Sequence, residues 1–564
     1  MSKEMTPARV NREYQAGVQF NLGIDLYDCV EVNENFTIGK QWEGVKSNGL
    51  PTPVFNFLKR VVLFSVANVT TDNIKLNAKP LPSSSEMPAE AVEVFSSILN
   101  DQYTAIFEHN RLPGLIREFC RNAAVDGDGC MYTYWDAEAE TGQPSKGAIK
   151  TEVLQNTQVI FGNPNSRDVQ SQPYIIIERR MLVKEARKYA EKHGISKADA
   201  ESITADEKEA GNVTIDALGG GKVTVLLRMW KEDGIVHCYE CTRTQEMRKE
   251  WDLGIPLYPI TWMNWDYVQD CYHGQSMVTG LIPNQIFVNK LFAMSMISLM
   301  TLAYPKVVYD KTKVAKWSAK VGTAIGVNGS VDGVAKIIDP ASISPQIAQF
   351  IDTAIGYTQR FLGATDVALG DTRPDNTSAI IALQRASAIP AELTRRNLME
   401  QIEELGKIYT AFMAEYYGER FVEIRIPGEM DKAVIKFDFS ALKDIPCSID
   451  LDAGASAYWS EIASMQTLDN LLMKGLIPVS EYLRRLPAGQ ISEREALISI
   501  MEASERQQQQ MQMMQAGMPM EGGMPPEGAP APEGGEEIPV RGGRGYGELQ
   551  RKINESGELP REVM

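Results

Sequence analysis

Histidine is scarce in this 564-residue chain: there are four, at positions 109, 193, 237 and 273. They are too few and too dispersed to nominate a catalytic base, and no Ser/His/Asp set can be assembled from spacing alone. Cysteine is sparse too, with seven scattered residues, an odd number. That speaks against a disulfide framework and fits reduced thiols in a cytoplasmic compartment. No apolar run reaches the roughly 20 residues that span a bilayer. The longest, LFAMSMISLMTLAY from Leu291 to Tyr304, is interrupted by serines. The opening residues, MSKEMTPARVNREYQAGVQF, lack the apolar core of a signal peptide. Positive charge is in deficit: the formal net charge is -17 and the pI about 5.0. An ordinary nucleic-acid binder needs an excess of Lys and Arg to displace counterions from phosphates. An acidic surface still suits a path along which DNA must slide without sticking.

Three motifs come close to a chemical signature and fall short. GGGKVT, Gly219 to Thr224, suggests a phosphate loop, but Asp216 and Val223 stand where the first glycine and the Ser/Thr belong. A turn before a strand is the better reading. Asp126-Gly-Asp-Gly begins like a calcium loop, but Cys130 and Ala137 occupy the fifth and twelfth positions. A tight turn before CMYTYW accounts for it. Cys238, Cys241, Cys271 and His273 form the one metal-like set. Four soft ligands suit a structural zinc, yet YECT lies in a strand-like run without a knuckle glycine, so packed thiols are the default and no metal or cofactor is expected. The adjacent acids Glu403 and Glu404 lie in a helix and are expected to face solvent.

The length and ordinary hydrophobic content predict a soluble α+β protein of two or more structural units. The first ~20 residues read as polar and mobile. Helices are expected over Val54–Val69 and Ala89–Ala124. Strands follow in CMYTYWDAE, AIKTEVL, TQVIFGN, PYIIIERR, KVTVLLRMWKE, GIVHCYECTRTQEM and PLYPITWMNW, with a short charged helix, Leu182–His193, among them. The character changes at Gly274. Pro283–Tyr304 reads as one helix between two prolines, roughly 30 Å long and apolar around most of its circumference, which requires cover on several sides. A small α/β insert comes next: strand PKVVYD, helix KTKVAKWSAKVGTA, and strands around IGVNG and VAKIIDP. A helix over Ser344–Phe361 and a polar loop, Gly363–Asn376, lead into the longest element. It is N-capped by Asn376, kinked at Pro390 and stopped by Gly418. Its residues Leu398, Ile402, Leu405, Tyr409, Phe412 and Tyr416 form a heptad-like seam. VEIRIPG and AVIKFDFS pair as strands. Helices Ser460–Lys474, Val479–Leu486 and Ser492–Ser504 follow, and from about Gln507 the Gln-, Met-, Pro- and Gly-rich chain is expected to be disordered.

This order resembles the portal proteins of tailed bacteriophages. NENFTIGKQW with GLPTPVFNFLKRVV is similar to the family's N-terminal signature, and FGNPNSRDVQSQPYIIIERR to the middle of its wing. HGQSMVTGLIPNQIFVNKLFAMSM looks like the approach to the first stem helix. ALGDTRPDNTSAIIALQRASAIPAELTRRN looks like the tunnel loop and long helix, and LLMKGLIPVSEYLRRLPAGQIS like the crown. The resemblance implies a portal fold: N-terminal arm and wing over residues 1–273, stem helices at 274–304 and 343–362, and a clip at 305–342. The tunnel loop falls at 363–376, the long wing helix and strands at 377–457, the crown at 458–506 and a tail at 507–564.

What the resemblance implies about function is structural. It points to a homo-oligomeric ring, usually a dodecamer, at one capsid vertex of the virion, assembled in the host cytoplasm with scaffold and major capsid proteins. Double-stranded DNA passes through it during packaging and ejection. The clip docks the terminase large subunit, which hydrolyses the ATP, and later the head-completion or adaptor proteins; no membrane and no catalysis are involved. The tunnel loop supplies the DNA-proximal residues Asp366, Gly370, Asp371, Thr372, Arg373, Asp375 and Asn376. Lys306, Lys311, Lys313, Lys316 and Lys320, with Lys336, give the clip a basic balance. They face a partner protein or passing DNA, or else they only solvate an exposed helix. The alternatives are another multimeric phage head or neck component, such as an adaptor, and a DNA-processing enzyme. The length and the helix–insert–helix order argue against the first, and the lack of a site against the second.

Overall fold

The computed structural model describes residues 5–47, 49, 51–70, 74–80, 89–206, 221–303, 307–318, 320, 323–337, 346–361, 377–425, 432–443, 447–453, 458–477, 479–486 and 497–498. The chain divides into two compact units, Met1–Gln466 and Thr467–Met564. The first is a mixed helix-and-strand body, as the α+β reading requires.

The chain begins with order where mobility was expected. Helix α1 (Pro7–Gly23) is N-capped by Thr6, whose hydroxyl accepts from the Arg9 amide, with Pro7 in its first turn. Val10 and Tyr14 lie four apart on one face and are buried. That narrow apolar stripe is what the polar character of the segment conceals. Helices α2 (Leu26–Ile38) and α3 (Phe57–Thr70) follow, then strand β1 (Ile74–Pro80). The helical run expected next is two helices, α4 (Ala89–Asn110) and α5 (Leu112–Asp126), broken where Arg111 takes a left-handed φ of 52° ahead of Pro113.

Two antiparallel sheets come next. Strands β2 (Asp128–Asp136), β3 (Ala148–Leu154), β4 (Val159–Phe161) and β5 (Ile175–Leu182) precede helices α6 (Val183–Lys192) and α7 (Lys197–Glu201). Strands β6 (Lys222–Glu232), β7 (Ile235–Cys241), β8 (Glu246–Asp252) and β9 (Ile260–Asn264) complete the set. The run GIVHCYECTRTQEM is therefore a hairpin rather than one strand. One sheet has the order β3-β2-β9, the other β4-β5-β6-β7-β8. Strand β6 is buried from Val223 to Trp230 because both its faces are covered. Leu226 and Trp230 pack under Val10 and Tyr14 of α1, while Leu227 and Met229 face a core shared with Tyr132, Ile260 and Trp262.

Helix α8 (Ile282–Ala303) carries Pro283 in its first turn and ends ahead of Pro305. Strands β10 (Val307–Tyr309) and β11 (Ala335–Ile337) pair antiparallel over three residues, and α9 (Gln346–Phe361) returns to pack on α8. The helix expected over KTKVAKWSAKVGTA is absent among the described residues, and IGVNG is not a strand. Asp310 explains the start of that failure. Its carboxylate accepts from the Thr312 amide and hydroxyl at 2.9 and 2.6 Å, an Asx-type turn that competes with helix. β-Branched Thr312 and Val314, with Ser318, add little helical preference.

Helix α10 (Thr377–Phe412) runs without interruption through Pro390 and ends in a π-helical turn, Met413–Tyr417, before Gly418 (φ 55°). Its seam residues Leu398, Ile402, Leu405, Tyr409 and Phe412 are buried in the main core, against β9, α3 and the last strand of the body. The heptad-like spacing serves an intrachain core instead of a coiled coil. Strands β12 (Glu419–Arg425) and β13 (Lys432–Asp438) pair, as expected. Strand β14 (Cys447–Ala453) pairs antiparallel with β1 along seven residues, tying the two ends of the body together. Helix α11 (Tyr458–Met473) follows. In the second unit, α12 (Val479–Arg485) is held near its start by Tyr482, whose hydroxyl donates to Asp469 at 2.6 Å. The Asn376 cap, most of the Ser492–Ser504 helix and the segment from Gln507 lie outside the described residues.

Candidate functional site

The residues that join the sheets to α8 form a buried polar junction. The sequence DGDG (126–129) is the connection from α5 to β2: Gly127, at φ 100°, ends the helix and Asp128 begins the strand. The turn reading was sound, but it missed what Asp128 does. Its carboxylate has no solvent exposure and receives four donors. Asn264 Nδ2 and the Gly274 amide reach Oδ1 at 2.7 and 2.6 Å; Asn156 Nδ2 and His273 Nδ1 reach Oδ2 at 3.2 and 2.6 Å. Four donors compensate the desolvation of the carboxylate. His273 Nε2 faces Asn21 Oδ1 of α1 at 3.2 Å, and the Tyr272 ring stacks on Phe161. Asp128 thus ties β2 to β9, to the turn at Asn156 and to the 264–274 segment that leads to α8, and His273 and Tyr272 extend the junction to α1 and β4.

A second acid sits beside it. Asp126 is pushed up to about 7, chiefly by burial and next by the nearby charge of Glu34; Arg121 works in the other direction. Arg121 is committed to a bidentate pair with Glu34, and Oδ1 of Asp126 has no hydrogen-bond partner.

The metal-like set is not assembled. Cys238 and Cys241 are three apart on β7 and point to opposite faces, one into the core between the sheets and the other under α1. Burial raises both thiols. His273 is engaged by Asp128, and Cys271 is half-buried. Among the described residues no group of three or more His, Cys, Asp or Glu is arranged to hold a metal. Lys222 of GGGKVT opens β6. Glu403 and Glu404 are not free on the surface as expected. They are half-buried beside a cavity of about 410 Å³ that Arg167, Asp168 and Gln401 also line, and Glu404 pairs with Lys407 at 3.2 Å. The 167–170 loop lines the same cavity, a neighbour that the helical periodicity of α10 does not reveal.

The remaining expected site residues lie apart from this junction. All seven tunnel-loop residues, Asp366, Gly370, Asp371, Thr372, Arg373, Asp375 and Asn376, lie outside the described residues, as does Lys306. Lys311, Lys316 and Lys320 are exposed around the β10–β11 ribbon, as is Lys336; Lys313 is half-buried, its ammonium directed at the Asp332 carbonyl. Val314 and the stacked pair Tyr309–Trp317 form the ribbon's small core. Among the described residues these lysines stand on turns, loops and the ribbon, not along a helix.

Helix α8 changes character along its length. Its first half is buried at Gln285, Val288 and Asn289, whereas Phe287, Met294, Met296, Leu299 and Met300 are exposed. Phe350 and Tyr357 of α9 are exposed as well. No helix among the described residues is long and apolar enough to cross a membrane. The cover that α8 requires is therefore only partly supplied by the described residues.

Comparison with known proteins fits this architecture. No curated protein matches the chain. The model of the family described as phage P22-like portal protein matches residues 29–454, which takes in both sheets, α8, the ribbon, α9, α10 and β14. A match over that span establishes that the chain belongs to the P22-like portal protein family of tailed bacteriophages.

Proposed function

We propose that this portal protein assembles into a closed dodecameric ring at one capsid vertex and serves as the conduit for genome packaging and ejection. The observation that carries the reading is the unpartnered apolar surface of α8 and α9, with Leu299, Met300 and Phe350 all more than half exposed. Side chains of that kind on a helix that does not span a membrane call for neighbours on both flanks, and a ring supplies them through one heterologous interface repeated until it closes. In this reading residues 1–273 form the wing, α8 and α9 the stem, and 305–342 the clip. Residues 363–376 form the tunnel loop, α10 with the strands that follow it completes the wing, and 458–506 form the crown.

The mechanism is geometric. The ring constrains the duplex, and the acidic balance of the chain keeps DNA from being trapped. The tunnel-loop residues Asp366 to Asn376 touch the DNA backbone without reading sequence. The clip, with Lys311, Lys313, Lys316 and Lys320, docks the terminase large subunit and then the head-completion or adaptor proteins. Scaffold and major capsid proteins surround the ring during assembly in the host cytoplasm, and the portal itself performs no catalysis. Native mass spectrometry with negative-stain imaging tests this. Rings of about a dozen copies with a central channel are expected. Failure to form rings even with scaffold and capsid protein present would overturn the reading.

A further inference from the structure

The root of α8 is joined to the rest of the body by buried amides as well as by apolar contacts, Ile282 and Ile286 packing on the main core and the Phe292 ring stacking on Phe55. Spacing places residues 285, 288 and 289 on one helix face, and two of those three buried residues are Gln285 (0% exposed) and Asn289 (2% exposed). Apart from each other, their partners are Gln41 and Phe55 of the segment between α2 and α3 and Leu58 in the first turn of α3. Asn289 Nδ2 donates to Gln41 Oε1 at 2.6 Å, and Gln41 Nε2 donates to the Phe36 carbonyl at 3.0 Å. Asn289 Oδ1 accepts from Gln285 Nε2 at 3.0 Å and from the Phe55 amide at 3.3 Å. Gln285 Nε2 also donates to the Phe55 carbonyl at 2.7 Å, and Gln285 Oε1 accepts from the Leu58 amide at 3.4 Å. No side-chain nitrogen or oxygen of Gln41, Gln285 or Asn289 is left buried without a partner. One rung higher, Asn33 and Thr279 are linked side chain to side chain at 3.0 Å.

We infer that Gln41, Gln285 and Asn289 are positioning residues that fix the register of α8 against the body, and that this seam is the joint at which α8 detaches as a unit. The argument is one of contrast. The neighbouring core of α3, α5 and α10 is apolar, and opening it exposes hydrocarbon to water. The amide seam exchanges its bonds for bonds to water, so opening it costs less for the same area. A connected ladder is also directional: sliding α8 by one residue unpairs every rung at once, whereas apolar side chains tolerate a slip. The seam is therefore both more specific and easier to open than the core beside it.

Hydrogen exchange on the full-length chain, resolved by peptide, tests this without reference to ring formation. Gln41→Met and Asn289→Leu each remove the same bond from opposite sides. Gln41→Met is expected to speed exchange across residues 283–292 by about tenfold, the effect of one lost buried bond to α8, and Asn289→Leu, which also removes the acceptor of Gln285 and of the Phe55 amide, by at least as much, while β5 and β6 keep their protection. The double variant should be no faster than Asn289→Leu alone, because the two share one interaction. Gln41→Met lies outside α8 and keeps the test available if Asn289→Leu does not fold. The proposal is overturned if exchange in 283–292 is unchanged, if β5 and β6 accelerate equally, or if the two effects simply add.

Discussion

Asp128 and His273 are 145 residues apart in the chain and 2.6 Å apart in the fold, with 0% and 3% of their side chains exposed. No local feature of the sequence brings them together; α5, β2 and β9 do. Because the pair is buried, removing Asp128 leaves His273 Nδ1 without its partner, whereas removing His273 leaves the carboxylate its other three donors. Asp128→Asn is nearly isosteric, but its amide nitrogen would face another donor on whichever side it pointed. Urea denaturation should show a loss of roughly 3 to 5 kcal/mol for this substitution. His273→Ala combined with it should cost less than the sum of the two, since they interact directly. Additive losses would mean that Asp128 acts through Asn264, Gly274 and Asn156 and not through His273.

Asp126 gives the junction a pH dependence of defined sign. Its folded value of about 7 lies above the ordinary carboxylate value, and burial is the first cause. A carboxyl raised on folding contributes stability that is fully present below its unfolded value, near 4, and is lost as the pH rises through about 7. Asp126→Asn removes that titration. The variant should match the parent near pH 4 and exceed it at pH 8 by roughly 2 to 4 kcal/mol. Unfolding midpoints across that range are the measurement, and a difference independent of pH would contradict the assignment.

Gly127 and Gly274 cross so closely that a Cβ on Gly127 would lie 2.6 Å from the Gly274 carbonyl oxygen. Gly127 also needs its φ of 100° to turn α5 into β2. Gly127→Ala therefore adds backbone strain to a backbone clash, and a loss on the order of 2 to 4 kcal/mol is expected in thermal or urea unfolding. Gly142 (φ 73°) has open space where its Cβ would go. Gly142→Ala should thus show only the strain, about 1 kcal/mol. Equal losses at the two positions would show that the crossing is not close-packed.

These cases mark what the sequence reveals and what it hides. Strands β3 and β6 were readable to the residue, because β-branched runs bounded by Gly and charge have few other solutions. Helix α8 was readable from its flanking prolines and all-round apolarity. Helix α1 was not, since two buried apolar side chains, Val10 and Tyr14, among seventeen residues make a weak pattern. The ribbon segment was read as helix because spacing alone does not register the Asp310 turn that overrides it. The Asp128 junction left no local signal, because its donors come from positions 156, 264, 273 and 274. The metal-like spacing around Cys238 misled for the same reason in reverse: neighbours in sequence three apart on a strand are separated by the sheet.

The exposed end of α8 distinguishes a subunit contact from a surface that simply tolerates hydrocarbon. Leu299 and Met300 are 54% and 55% exposed, so a charge at Leu299 disturbs little within one subunit. Leu299→Glu should leave the subunit's unfolding free energy within about 0.5 kcal/mol of the parent, the ordinary range for surface changes. In a ring the same carboxylate would be buried against a neighbour in every interface, unpaired and desolvated, and the penalty would recur around the circle. The variant is therefore expected to purify as folded monomer or small oligomer where the parent forms rings, as read by native mass spectrometry. Lys320→Glu, a charge change in the ribbon region, should leave ring yield as it was. If Leu299→Glu closes rings as efficiently as the parent, this face of α8 is not the contact, and α9 with Phe350 and Tyr357 becomes the surface to alter next.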